Sequence, residues 1–324
     1  MHLLLPTAFT LSPVLGWWIG APWLTLFLAA IAIPAAEWFW GGYASTAPSY
    51  RWGVWLPRAI MLIALIVTGS LAINAAHYEW DALVWLALSS GYVCGGIGIV
   101  LAHELGHRRA LLDRTLARAL LSWIGFGHYV LEHNRGHHRH AATLHDPASA
   151  RQDESVWRFM PRYFLGIYRD SLKLSREQPG KINEALMLTT LTLALFALII
   201  LAASWKGLVF CVIQAWLAQT LVATIDYVEH WGLQRRLIDG KPERMNATHI
   251  WDCANRVSDA LLFNLPRHAS HHLEPSLNCD QLYPIPESPQ MPTGYAGMVL
   301  LALISPLFVK IMTPRLPAPH NNTH

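Results

Sequence analysis

The chain has 324 residues, of which 53% are hydrophobic and only 14% charged, with a formal net charge of +3. That balance excludes a strongly acidic or basic solvated chain, and no basic stripe interleaved with aromatics offers a surface for nucleic acid. Fifteen tryptophans, 20 prolines and a positive mean hydropathy fit instead a chain set in a bilayer with aromatics at its interfaces.

In chain order, Leu3 to Trp40 is almost uncharged. That run of about 38 residues is too long for one crossing of a ~30 Å hydrocarbon layer at ~1.5 Å per residue. Gly16, Gly20 and Pro22 offer a turn near its middle, which predicts a helical hairpin. The start lacks a basic segment and a cleavage site, so it reads as a membrane helix that stays. Its second half carries Ala29, Ala32 and Ala36 on one predicted helix face, which means either close packing or room for an alkyl chain. A short, nearly uncharged loop, Gly41 to Arg51, follows. Apolar runs from Val54 to Ala76 and Ala82 to Ala102 flank a five-residue turn, and a further pair, Ala185 to Ala203 and Leu208 to Ile225, flanks Ser204 to Gly207.

The expected fold is therefore an all-α integral membrane protein with about six transmembrane helices. It forms one domain over 1–324: membrane helices over 1–102, a histidine-rich segment over 103–183, a membrane hairpin over 184–229, and a second histidine-rich segment with the tail over 230–324. The apolar stretch Leu116 to Leu131 is expected to be interfacial or re-entrant, because a crossing there would part the histidines on its two sides. Of 24 lysines and arginines, only Lys206 falls on the opposite face in this topology. The positive-inside rule then places both histidine-rich segments in the cytoplasm, and the chain in a bacterial inner membrane. The four cysteines, Cys94, Cys211, Cys253 and Cys279, show no zinc-ligand spacing and read as buried spectators.

Most of the 17 histidines lie in two stretches, His103 to His145 and His230 to His272. Neutral imidazole is the commonest metal ligand and suits Fe, Zn, Cu or Ni. HELGH places His103 and His107 four apart at a helix end, on one face. EHNRGHH adds His133, His137 and His138, with Gly136 slim where three rings are expected to converge. DYVEHWGL adds His230, and LPRHASHH adds His268, His271 and His272. Nine rings could hold two metal ions with about four or five nitrogens each, leaving positions open for a small ligand such as O2. Glu104, Glu132 and Glu229 adjoin these histidines, and neighbours on a helix point about 100° apart. They are therefore expected to accept a ring N–H from behind rather than to bind the same ion. His128, His140, His145 and His249 are expected at the surface or behind the site. Taken alone, HELGH also matches the zinc-protease pattern with Glu104 as general base, but one zinc leaves the other motifs unexplained.

With these motifs in view, the sequence resembles the membrane-bound alkane monooxygenases of bacteria, within the wider histidine-box group of desaturases and hydroxylases. The similarity runs from about Leu3 to Arg315. HELGH resembles the first box, and EHNRGHH with the following HDPAS resembles the second. DYVEHWGLQR resembles the box that sets alkane monooxygenases apart, and LFNLPRHASHH resembles the third. Asp226 stands where the family usually has Asn, Trp231 where it has Tyr, and PRHAS replaces QRHSD. The resemblance implies metal ligands at His103, His107, His133, His137, His138, His230, His268, His271 and His272. It also implies two non-haem iron ions, O2 as oxidant, a lipophilic alkyl substrate, and rubredoxin or a ferredoxin-type donor with its reductase. The expected reaction is hydroxylation of an unactivated C–H bond, first of all the terminal methyl of an alkane or alkyl chain. A methyl-arene hydroxylase or a fatty acyl desaturase would use the same site. A zinc intramembrane protease stands as an alternative of a different class, and a metal-binding protein without activity is the weakest reading.

Overall fold

Uninterrupted apolar sequence dictates the architecture. In a low-dielectric layer each backbone N–H and C=O must be satisfied within its own segment, which only helices do locally. The computed structural model describes residues 1–42, 52–177, 180 and 182–317. The expected loop beyond Gly42 and the tail beyond Pro317 lie outside the described residues.

The first hairpin forms as expected. Helix α1 (Leu4–Trp18) and helix α2 (Leu24–Trp40) are joined by a tight turn in which Gly20 takes a left-handed φ of 73°. A Cβ at Gly16 would lie 2.6 Å from the Ala21 carbonyl oxygen, so a side chain there would open the turn. Ser12 and Thr25 hydroxyls bond across the pair at 2.8 Å. Within α2, residues Leu28–Ala32 form a π-helical segment. Helix α3 (Trp55–Ile73) and helix α4 (Trp80–Gly106) follow, and α4 contains a second π segment, Val93–Gly98.

The two apolar runs expected as separate helices form the two arms of α8 (Glu184–His230), which follows α5 (Leu111–Trp123), α6 (residues 129–140) and α7 (Val156–Arg176). Helical geometry breaks at Ala203 and Ser204, the latter with φ 57°. Gly207 then lies against Ile199, so the two arms of α8 run back along each other. A Cβ at Gly95 would come within 2.6 Å of Ala218 Cα, and its absence lets α4 lie close on the second arm. Lys206 at the reversal donates to the Tyr78 carbonyl at 2.6 Å, placing the lone basic residue at the far end of α4 from its histidines. Among the described residues, α3, α4 and α8 are long and apolar enough to cross a membrane, and α2 is a shorter apolar helix.

The stretch expected as one interfacial helix over 116–131 divides. Helix α5 begins earlier, at Leu111, and stops at Trp123; Gly125, with φ 72°, turns the chain, and α6 begins at Tyr129. Arg108 to Arg118 is too charged for hydrocarbon, while Leu120 to Trp123 is buried on α4 and α8. Residues 231–312 fold back as a short β-hairpin (Leu237–Ile238 with Lys241–Pro242) and four short helices: α9 (Arg256–Leu261), α10 (His268–Leu273), α11 (Tyr295–Leu303) and α12 (Ser305–Met312). They dock on the first hairpin through buried Glu37 of α2. Its carboxylate accepts from Ser258 Oγ at 2.6 Å and from the amides of Ala296 and Gly297 at 3.1 and 2.9 Å, at the positive end of α11.

Candidate metal centre

All nine histidines of the four motifs meet, and they meet in two groups. His103, His107, His133, His138 and His271 form one; His137, His230, His268 and His272 form the other. The expectation that three rings of EHNRGHH converge is corrected. Residues His133–His137 form a π-helical turn. Widening the turn by one residue brings His138 edge-on to His133, with ring centroids 4.7 Å apart and Nε2 atoms 3.1 Å apart. His137 is turned into the other group, with its Nε2 3.3 Å from that of His272. Gly136 faces the Glu132 carboxylate rather than the rings.

The paired dipeptides explain why the groups are neighbours. Adjacent residues on a helix point about 100° apart. His137 and His138 therefore send one ring to each group, and so do His271 and His272. On α10, His268 and His272 sit one turn apart with Nε2 atoms 2.9 Å apart, and His230 closes on His268 at 3.4 Å. The position of α10 is set from outside the site. Asp252 accepts from the Ala269 amide at 2.7 Å, and Arg267 grips Asp259 through Nε at 3.1 Å and Nη2 at 2.9 Å.

Metal chemistry accounts for this crowding. In the first group His133 Nε2 lies 3.2 Å from that of His107, and His271 Nε2 lies 3.1 Å from that of His138. A first-row ion held ~2.1 Å from each imidazole nitrogen, with neighbours ~90–110° apart, needs nitrogens about 3.0–3.4 Å from one another. The observed spacings, 2.9 to 3.4 Å, are those edges. Ring nitrogens are also kept available. Burial holds the imidazoles of His133, His138, His268, His271 and His272 well below their ordinary pKa, and neighbouring rings reinforce it. They therefore stay neutral with a lone pair to donate.

His137 differs. Burial, the largest single effect, would lower it, but the carboxylates of Asp146, Asp226 and Glu132 together outweigh burial and raise it to about 9. Asp146 Oδ2 stands 2.9 Å from Nδ1 of this ring, and Ser149 Oγ donates to the same oxygen at 2.6 Å. The Ala148 amide fixes the other carboxylate oxygen at 3.0 Å. Asp146 thereby takes the ring proton on the outer side and turns Nε2 inward. Sequence reasoning quoted HDPAS without giving Asp146 a role. Its signal was the Asp-Pro turn nine residues after a ligand candidate, which only the return of the chain brings behind the ring. Tyr129 OH lies 3.3 Å from His133 Nδ1 and plays the corresponding part there. Nδ1 of His103, His138, His230, His268 and His272 is buried without a partner.

The three glutamates do not take the role expected of them. Glu104 accepts from Arg108 and from the Cys279 amide (3.1 Å). Among the described residues no free carboxylate stands beside His103 and His107 to serve as a protease base, so the lone-zinc reading of HELGH fails on position as well as on ligand count. Both Glu132 carboxylate oxygens are buried without a partner. Glu229 accepts from Tyr295 OH at 2.7 Å and sets its other oxygen 3.2 Å from the inward Nε2 of His268, inside the ring cluster rather than behind it. His128, packed on Phe126 and Tyr168, His140 and His145 near the surface, and His249 beside Glu243 all lie outside both groups, as expected. All four cysteines are buried and unpaired.

Tyr295 also lines an apolar cleft of about 600 Å³, counting its open mouth, with Ala29, Ile33, Ile97, Ile225 and Leu262. The face of α2 that lines it carries Ala29, Ile33 and Glu37, one residue per turn. Ala32 and Ala36 are half-buried elsewhere, because the π segment of α2 shifts the register the alanine spacing presumed.

The fatty acid desaturase family model matches residues 79–301. An alkane 1-monooxygenase 1 of Pseudomonas aeruginosa is 40% identical over 270 residues, 80% of this chain and 70% of that protein. The chain belongs to the fatty acid desaturase family, on its alkane 1-monooxygenase branch. An alkane 1-monooxygenase of Pseudomonas putida is 34% identical over 265 residues, 79% of this chain and 66% of its own length. One of Ectopseudomonas oleovorans is 31% identical over 340 residues, covering 97% of this chain and 84% of the relative. Membrane association follows from the family and from the apolar helices, and a metal site from the histidine groups.

Proposed function

We propose that the chain is a non-haem diiron monooxygenase that hydroxylates the terminal methyl of an alkane or alkyl chain. The observation that carries this reading is the meeting of nine imidazoles in two metal-sized groups beside an apolar cleft. His103, His107, His133, His138 and His271 would hold one iron; His137, His230, His268 and His272 would hold the other. When bound, the irons supply the activation of O2 and the oxidising power that an unactivated C–H bond demands.

The chain's own residues supply position and dryness. Ala29, Ile33, Ile97, Leu221 and Ile225 make a wall without hydrogen-bonding side chains, which favours an alkyl chain and excludes water. Leu221, Ile225 and Glu229 follow one another at one-turn spacing on α8, so the wall leads from the cleft to the rings. The reaction consumes O2, two electrons and two protons and releases the alcohol and water, so an electron donor must dock. Rubredoxin or a ferredoxin-type protein with its reductase fits that need. Six crossings, counting the two arms of α8 and the hairpin of α1 and α2, would put both histidine groups on the cytoplasmic face of a bacterial inner membrane. The divisions 1–102, 103–183, 184–229 and 230–324 then alternate between membrane and metal-bearing segments of a single domain.

The test is metal analysis joined to product analysis. Purified protein should carry iron, about two per chain on this ligand count. Cells given mixed alkanes, alkylarenes and fatty esters under isotopically labelled O2 should yield labelled primary alcohols. A fully active preparation with stoichiometric zinc and no iron, or label confined to water with an alkene as product, would refute it.

A further inference from the structure

We propose that a second cleft, away from the cavity and the rings, binds the phosphate headgroup of an anionic phospholipid. The cleft spans about 640 Å³, counting its open mouth, between the end of α4, the start of α5 and the first turns of α6. Five arginines line it: Arg108, Arg109, Arg114, Arg118 and Arg135. Two are neutralised, Arg108 by Glu104 and Arg118 by Glu184, whose Oε1 accepts from Arg118 Nε at 2.9 Å. Arg109, Arg114 and Arg135 are exposed, and none has a carboxylate partner among the described residues. Three unpaired guanidiniums around one concavity repel each other unless an anion joins them, and phosphate oxygens match their fork geometry.

Depth decides which anion. Two ion pairs tie α5 to the first turns of apolar helices: Arg58 of α3 holds Asp113 with bonds of 2.6 and 3.0 Å, and Arg118 holds Glu184 of α8. Arg58 also lies 5.1 Å over the ring of Trp55, an exposed tryptophan of the kind that marks a membrane interface. Given the membrane placement read above, this sets α5 at headgroup level. Leu111 and Leu112, 72% and 54% exposed, stand between Arg109 and Arg114. A soluble acidic protein would leave these leucines in water, whereas a phospholipid covers them with its acyl chains while its phosphate meets the arginines. The floor of the cleft includes Gly106 and Asn134, which bond each other at 3.2 Å and adjoin His107 and His133. A bound headgroup would therefore brace the joint between the first two histidine motifs.

Each arginine at a membrane surface favours an anionic headgroup by about fivefold, so three give about a hundredfold. Detergent-purified full-length protein is titrated with short-chain phosphatidylglycerol, phosphatidylcholine and inorganic phosphate, and bound species are counted by native mass spectrometry. This readout needs neither iron nor turnover, so its failure is separable from failure of the monooxygenase reading. Phosphatidylglycerol should bind about a hundredfold tighter than phosphatidylcholine. The preference should vanish in Arg109→Gln/Arg114→Gln/Arg135→Gln and survive in Arg236→Gln/Lys241→Gln/Arg244→Gln, which removes equal charge from the exposed β-hairpin. Should the triple variant not fold, Arg114→Gln alone should lose about fivefold. Equal binding of both lipids, equal loss in the hairpin variant, or displacement of the lipid by millimolar phosphate would each overturn the proposal. So would phosphatidylglycerol binding that is intact in the cleft variant while KM for an acidic electron-donor protein rises, which would make the cleft a protein dock.

Discussion

If the apolar cleft holds the alkyl chain, Ala29→Phe should shorten the preferred substrate. Ala29 is 8% exposed and faces the cleft from the π segment of α2. A phenyl ring there reaches about 5 Å into the space and displaces about four methylenes of a chain threaded past it, at ~0.8 kcal/mol for each buried methylene. Long substrates should therefore lose about 3 kcal/mol of binding, a factor of about 150 in kcat/KM, while chains ending short of Ala29 lose little. The competing account is that Ala29 is small because α2 packs tightly, in which case the ring overpacks the helices at a cost of ~1–3 kcal/mol whatever the substrate. Competition between short and long alkanes on wild type and variant, with iron content and melting temperature measured alongside, separates the two. Equal loss across chain lengths with a lowered melting temperature would refute the channel. Ala32→Phe serves as comparison, since Ala32 lies outside the lining and should not alter chain-length preference.

The split of neighbouring histidines makes a sharper demand than the loss of activity. His138→Ala and His137→Ala, one residue apart, should each cost about one iron per chain, but from different groups, so their Mössbauer spectra should lose different components. His271→Ala and His272→Ala should repeat the pattern, while His140→Ala should leave iron content intact. On pH, the rings of His133, His138, His268, His271 and His272 have lower pKa values folded than unfolded, where 6.5 applies. A depressed histidine contributes its full stability above the unfolded value and loses it as pH falls below 6.5. Metal-free protein should therefore lose melting temperature steadily below about pH 6.5, while His137, raised to about 9, works the other way and loses its stabilisation as pH climbs from 6.5 toward 9. An unchanged melting temperature down to pH 5 would show that the rings are not buried neutral.

The helices were legible in the sequence because each apolar run is closed by its own turn signal, such as Gly20 after α1 and the 74–79 turn before α4. The candidate ligands were legible because imidazoles at one-turn spacing have few other uses. What was not legible follows from two physical facts. A π turn leaves no mark in composition, so the pairing of His133 with His138 and the lining of α2 by Ala29, Ile33 and Glu37 could not be read from a period of 3.6. Tertiary partners across long separations are invisible to spacing: Arg58 with Asp113, Glu37 with α11, and Asp146 returning to His137 depend on the chain doubling back. The glutamates were placed behind the rings from their adjacency to histidines, but distant elements decide their partners: Glu104 meets the Cys279 amide, and Glu229 meets Tyr295 and, inside the ring cluster, His268.

Asp146 carries the last prediction, because it sets the two histidine groups apart. In the five-ring group, His133 is held from behind by a neutral phenol, Tyr129 OH, at 3.3 Å. In the four-ring group His137 leans on a buried carboxylate at 2.9 Å, itself fixed by Ser149 and the Ala148 amide. Such a carboxylate raises ligand basicity and fixes the tautomer, and its loss typically costs ~10–100-fold in metal affinity. Asp146→Asn keeps the shape but offers the ring either a neutral carbonyl or an N–H facing an N–H. The four-ring group, already one ligand poorer, should therefore release its iron at a chelator concentration about 10–100-fold lower, with the other iron retained. Chelator titration followed by metal counting would show two separated release steps in the variant. Release of both irons together, or no shift at all, would mean that Asp146 only holds the turn at Pro147. Ser149→Ala distinguishes that case: it loosens the carboxylate without removing its charge, so it should move the same step in the same direction by a smaller factor.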